Sequence, residues 1–168
     1  MSRPRWQVSL RQALRQRSET PRVAIVGVGH ALSGDDAAGL AAVRALEAAL
    51  EPNDRLLLVD AGSAPENASG LLRRFAPDLV LLIDAAQMDE PPGAVRWLDW
   101  QEITGVSAST HTLPLHLLAR YLMTELGCIV SLIGIQPATN ALDAPLSPDV
   151  QDAVEAVAAG LAAALAGL

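Results

Sequence analysis

The chain has 168 residues, 51% of them hydrophobic and only 3% aromatic, with a formal net charge of −7. That length fits one domain with a buried core of Leu, Val, Ile and Ala, and the acidic balance argues against nucleic acid as the main ligand. No apolar run reaches the ~18 residues of a membrane span, the arginine-rich start lacks the apolar stretch of a secretory signal, and a single cysteine, Cys128, allows no internal disulfide and points to the cytoplasm.

All twelve basic residues are arginine, and six of them precede residue 23, opposed only by Glu19; the rest of the chain sets six arginines against eighteen acids. Residues 1–21 therefore read as a basic N-terminal extension that is disordered, docks on an acidic partner or folds back on the acidic body. Residues 22–168 read as a single α/β domain. Val23–Val28 is an apolar run with the signature of a buried strand, and Leu40, Val43, Leu46 and Leu50 give the helical spacing of an amphipathic helix over Asp36–Leu50. Leu56–Val59 reads as a second strand ending at Asp60. Ser63 and Glu66 have capping-box spacing, which predicts a short helix to about Phe75. Leu79–Ile83 is the third strand, ending at Asp84, and Gly93–Leu98 alternates like a half-exposed edge strand. A helix over Leu113–Leu126, a strand over Ile129–Ile135, and a C-terminal helix with Ser147 as N-cap and Pro148 at its first position complete the pattern. Continuous apolar strands alternating with helices predict a largely parallel sheet covered on both faces.

The chemistry is concentrated in loops beyond the strands. A glycine turn between strand and helix, Gly27-Val28-Gly29, is the usual seat of a phosphate. Here Asp35 and Asp36 open the helix, a pair that repels a dinucleotide and attracts a cation, and the next glycine falls at Gly34, too late for the dinucleotide spacing. Asp36, Asp60 and Asp84 each follow a predicted strand, so three carboxylates can converge on one rim. His111 precedes a helix at the same rim. Two carboxylates and one imidazole suit a borderline divalent metal such as zinc or nickel better than calcium. Each residue also has a plain structural reading: Asp35 and Asp36 as helix-start acids, Asp60 and Asp84 as loop caps, His111 as a backbone-bonded helix-start residue. His116 reads as filler, Cys128 as core, and Trp97 and Trp100 as packing. No G-x-S-x-G elbow, H-E-x-x-H pair or G-K-[ST] loop occurs.

Taken together, Gly27-Val28-Gly29-x-x-Leu32-x-x-Asp35-Asp36-x-x-Gly39, Asp60-x-Gly62-Ser63-Ala64-Pro65-Glu66-Asn67, Ile83-Asp84-Ala85, Pro92-Gly93, Thr110-His111-x-Leu113-Pro114-Leu115 and Gly134-Ile135-Gln136-Pro137 are similar to the motifs of the hydrogenase maturation endopeptidases. The likeness is greatest to the branch serving hydrogenase 3, the formate-hydrogenlyase type enzyme, and spans about Arg22 to Leu161. It implies a three-layer α/β sandwich with a twisted, mostly parallel five-stranded sheet. It implies an activity: removal of a C-terminal peptide from the nickel–iron hydrogenase large-subunit precursor after nickel insertion, by a monomer for which the nickel, brought by the substrate, is the recognition handle. Zinc or cadmium could occupy the same site. The family's metal contacts carry over to Asp36, Asp84 and His111, and its substrate-selecting segment to Asp60, Gly62 and Ser63; Asp36 and Asp84 are also the candidate catalytic acids. The chain departs from the pattern at His30, where asparagine is usual, at Ala61, where a second glycine is common, and in the arginine-rich arm. Whether an aspartate or the nickel activates the water stays open at this level. So does a rival reading, a non-catalytic nickel chaperone or checkpoint protein using the same three ligands.

Overall fold

Strands buried on both faces should send alternate side chains into two separate cores, and the computed structural model, which describes residues 3–104, 106–108 and 113–168, shows that division. Its strands are β1 (Val23–Gly27), β2 (Leu56–Asp60), β3 (Leu79–Gln87), β4 (Val95–Asp99), β5 (Ser107–Ala108) and β6 (Ile129–Ile135). Its helices are α1 (Arg5–Arg15), α2 (Ala38–Ala49), α3 (Ser69–Phe75), α4 (Trp100–Ile103), α5 (Leu115–Leu126) and α6 (Pro148–Leu165). Val23 and Ile25 of β1, Leu81 and Ile83 of β3, and Ile133 of β6 pack with α1, α2 and α6. Their neighbours Ala24, Val26, Val80, Leu82 and Leu132 pack with α3, α4 and α5 on the other face.

The main sheet runs in the order β2-β1-β3-β6-β4, parallel except for β4, which pairs antiparallel with β6 at the edge. The expected five strands are present, and the two-residue β5 adds an unexpected antiparallel pair to the end of β3. From β1 the chain passes through α2 to β2 on one side, then crosses back to β3 on the other. Such a reversal opens a crevice beyond the carboxyl ends of the two central strands, where α/β proteins bind ligands.

Three local expectations are corrected. The helix predicted from Asp36 starts instead with a 3₁₀ turn over Gly34–Ala37, and α2 follows at Ala38. The Ser63/Glu66 capping box does not form, because Pro65 takes the first position of its 3₁₀ turn and so makes Ala64 the N-cap; a capping box does join Asp99 and Glu102 at the start of α4. Strand β3 does not end at Asp84 but continues to Gln87, paired there with β6 and β5.

Within the basic arm, Arg5–Arg15 form α1. Trp6, Leu10 and Ala13 form a helical stripe buried in the α2/α6 core. Gly160 of α6 leaves the space that the Trp6 ring fills.

Glycines bring α2 onto the sheet. A methyl group on Gly39 would overlap the carbonyl oxygens of Ile83 and Val28, so the first turn of α2 lies directly on the ends of β1 and β3. Gly39→Ala is therefore expected to lose about 3 kcal/mol in urea unfolding. Gly70→Ala, on α3 where the nearest atom is the far end of Arg74 at 3.7 Å, is expected to be neutral or stabilising by up to ~1 kcal/mol; equal effects of the two would contradict this packing.

Candidate active site

The glycine turn sets the crevice. The Val28 N–H donates to the Ile83 carbonyl (2.9 Å), the Gly29 N–H to the Gly62 carbonyl (2.9 Å) and the Ala61 N–H to the Gly27 carbonyl (2.9 Å). The ends of β1, β2 and β3 are thereby tied at one level. Gly29 has φ +149°, and a side chain there would collide with the Asp36 carbonyl oxygen. The turn and the start of α2 therefore close on each other only with glycine at this place.

Asp84 is fully buried. Strand β1 ends at Gly27, paired with Ile83, so Asp84 is the first residue of β3 with no β1 residue opposite. By alternation it shares the face of Leu82 and Ala86, the face that packs with α5. Asp36 reaches the same crevice from the opposite face, one helical turn before Gly39, whose backbone touches Ile83. Its Oδ1 is buried and has no hydrogen-bond donor among the described residues. A buried carboxylate oxygen without a donor is costly, and a cation removes that cost. The chemistry of this donor set fits a metal ion. His111, the third expected ligand, lies outside the described residues, as do Thr110 and Thr112 of its motif.

The adjacent Asp35 has a different role. It is 0% exposed, and its carboxylate accepts four hydrogen bonds from the loop before α6. Oδ2 receives the Ala138 N–H (2.8 Å), the Thr139 N–H (3.0 Å) and the Ser147 hydroxyl (2.8 Å); Oδ1 receives the Ser147 N–H (2.7 Å). Burial alone would raise its pKa, but the bonds from Ser147, Thr139 and Ala138 together hold it below the ordinary carboxylate value. Ser147 keeps the backbone shape of an N-cap, but its hydroxyl serves Asp35 and makes no cap bond. Neither aspartate is the helix cap that the sequence allowed, since no side chain caps the 3₁₀ turn or α2.

Asp60 is exposed at the end of β2. Arg44 of α2 donates from Nε (3.2 Å) and Nη2 (3.0 Å) to its Oδ2, and the Gly62 N–H donates to Oδ1 (3.3 Å). Asp60, already paired with Arg44, thus stands at the edge of the sheet, separated from Asp84 by the whole of β1. Gly62 has φ +57° with open space where a side chain would project, and Ser63 is exposed beside it. His30 is exposed, and its Nδ1 faces the Leu32 N–H (3.3 Å) and the Ser33 hydroxyl (3.2 Å). The ring closes the turn locally, as an asparagine side chain does.

Sequence reasoning missed two residues. Gln136 is buried; its Oε1 accepts the Met88 N–H (2.7 Å) and its Nε2 donates to Gln87 (2.8 Å), which staples the end of β3 to β6. Glu66, expected in a capping box, has its Oε2 buried with no donor among the described residues.

A mostly parallel sheet with helices on both faces and acids beside its switch point defines a protein of the open, doubly wound α/β class. The sequence profile of the hydrogenase maturation protease family HycI matches residues 40–164. The hydrogenase 3 maturation protease of Escherichia coli (strain K12) is 35% identical over 131 residues, covering 77% of this chain and 82% of the relative. The crystal structure of a [NiFe] hydrogenase maturation protease HycI from Thermococcus kodakarensis KOD1 superposes with a TM-score of 0.84 at 30% identity, covering 94% of this chain and 99% of that one. The solution structure of an endopeptidase HycI from Escherichia coli does so with a TM-score of 0.71 at 32% identity, covering 82% and 86%. This chain belongs to the hydrogenase maturation protease family, and it is an endopeptidase.

The depressed pKa of Asp35 gives a signed pH dependence. A carboxylate with a lower pKa folded than unfolded stabilises the fold above its unfolded value, about 4. That contribution is lost as pH falls through the folded value. Asp35→Asn is therefore expected to cost about 3 kcal/mol at pH 7 by urea unfolding, with the gap to the unsubstituted protein closing below about pH 4. A gap that is constant with pH would contradict the assignment.

Proposed function

We propose that this endopeptidase removes the C-terminal peptide of a nickel–iron hydrogenase large-subunit precursor after nickel insertion, and that it does so in the cytoplasm. In this reading the nickel arrives as part of the substrate, held by the precursor's own thiolates. Asp36, Asp84 and His111 complete its coordination, and so fix the scissile bond over the crevice. Asp60, Gly62 and Ser63 line the rim that selects the precursor. The observation that carries the proposal is the buried Oδ1 of Asp36, in the turn between β1 and α2, which has no donor among the described residues. The family membership supports the reaction, and the structural relative described as a [NiFe] hydrogenase maturation protease supports the substrate class. Among the described residues no helix is long and apolar enough to cross a membrane.

Docking through the metal makes cleavage conditional on correct assembly: without nickel, the carboxylates have nothing to hold. The nickel supplies Lewis acidity toward the scissile carbonyl. A carboxylate at Asp36 or Asp84 takes the proton of the attacking water, and returns it to the departing amine as the C–N bond breaks.

Mass spectrometry of precursor incubated with the protein tests this. Loss of a C-terminal peptide is expected from nickel-loaded precursor only; equal cleavage of nickel-free precursor would contradict the nickel handle, and binding with no mass change would contradict cleavage. Asp36→Asn, Asp84→Asn and His111→Ala are each expected to lower the rate by about a hundredfold or more. Asp36→Asn is also expected to unfold at the same urea concentration as the unsubstituted protein or a higher one, because one of its carboxylate oxygens is buried with no donor among the described residues.

A further inference from the structure

Two exposed leucines stand at the same rim. Leu32, 57% exposed, lies in the loop between β1 and the 3₁₀ turn, and Leu142, 72% exposed, lies in the loop between β6 and α6. The other large exposed apolar side chains among the described residues, Val8, Leu71, Leu117 and Tyr121, lie on helices. A single exposed leucine is ordinary. These two differ in being held in place.

Their loops are stitched together next to Asp36. The Asp143 N–H donates to the Leu32 carbonyl (2.8 Å), and the Asp35 N–H to the Thr139 carbonyl (2.9 Å). The Asp35 carboxylate grips Ala138, Thr139 and Ser147 from beneath. Gly34, at φ +52°, lies so close to the second loop that a methyl group on it would come within 2.9 Å of the Thr139 carbonyl. Asp143 is held at φ +56°, a conformation that costs a non-glycine residue free energy. The backbones on either side of both leucines are thus fixed before any partner arrives, which lowers the entropy lost on binding.

We propose that Leu32 and Leu142 form a preordered apolar platform for the precursor polypeptide, taking apolar side chains of the segment that flanks the scissile bond. The occupant follows from continuity: Leu32 is four residues from Asp36, on the loop that closes through the His30 N–H to the Asp36 carbonyl (3.3 Å). A chain placed over Asp36 and Asp84 must pass this rim. The proposal rests on the reading of the site given above. It assigns Asp35 a second consequence, since the carboxylate that anchors the loops also presents the platform.

The test is steady-state cleavage of nickel-loaded precursor by full-length Leu32→Ser, Leu142→Ser and the double variant, with Leu117→Ser on α5 as the control. Each rim substitution is expected to raise KM about tenfold, the size of effect expected for partly burying one leucine. The double variant should raise it further, with kcat within about twofold, the urea midpoint unchanged and Leu117→Ser silent. An unchanged KM in the double variant overturns the platform while leaving the nickel-directed protease standing. Should the unsubstituted protein bind precursor but not cleave it, the cleavage reading fails separately, and the Kd of the double variant decides the platform: an equal Kd overturns it. No binding at all overturns both. A dimer in sedimentation that the double variant abolishes, with KM unchanged, would assign the patch to a second copy and overturn the proposal.

Discussion

Much of the architecture around the crevice depends on Asp35, a buried carboxylate that accepts four hydrogen bonds from a loop more than a hundred residues away in sequence. Without those donors, a charge at 0% exposure would be prohibitive. With them, the segment between β6 and α6 is fastened to the start of α2, and three backbone amides and a hydroxyl that would otherwise need water are satisfied. The bond pattern fixes the ionised form, since a neutral acid would have to turn a proton toward the same donors. The adjacent residue can then have the opposite character. Asp36 keeps a buried oxygen with no donor among the described residues. The two adjacent acids thus differ in kind: one carboxylate is fully engaged by the fold, and its neighbour is the candidate ligand of the proposed site.

The second constraint is close approach. Gly27, Gly29 and Gly39 let the start of α2 lie against the backbone of β1 and β3. Because the chain reverses its direction of sheet growth between β1 and β3, that contact falls at the crevice where neither strand is covered by a crossover. Asp84 is delivered from the sheet and Asp36 from the helix side. In a dinucleotide-binding protein a similar turn would offer backbone N–H groups to a phosphate. In this chain it is followed by two carboxylates, which do not suit a phosphate.

Much of this was legible in the sequence, for reasons that can be traced. Unbroken apolar runs marked β1, β3 and β6, because strands buried on both faces need no polar alternation, and also β2, an edge strand whose leucines are only half-buried. Asp36 and Asp84 stood out as acids just beyond such runs. The role of Asp35 was not legible, because its partners at Ala138, Thr139 and Ser147 are remote and two of them act through their backbone alone. Ser147 was recognised as an N-cap position, but where its hydroxyl goes depends on tertiary structure. The Trp6-Leu10-Ala13 stripe was present at helical spacing, masked by the arginines around it; only Gly160, far along the chain, explains why it docks. Glu66 misled by spacing, since Pro65 moved the start of its turn by one residue.

The claim that the crevice supplies ligands to a metal carried by the substrate is tested most directly by X-ray absorption at the nickel edge. Nickel-loaded precursor would be measured alone and in complex with an excess of the protein, under conditions where cleavage is too slow to complete. Asp36 and Asp84 supplying ligands predicts new oxygen or nitrogen scatterers in the nickel first shell on complex formation, lost when both are replaced by alanine. A first shell that stays the same in the complex, with cleavage still proceeding afterwards, would contradict it.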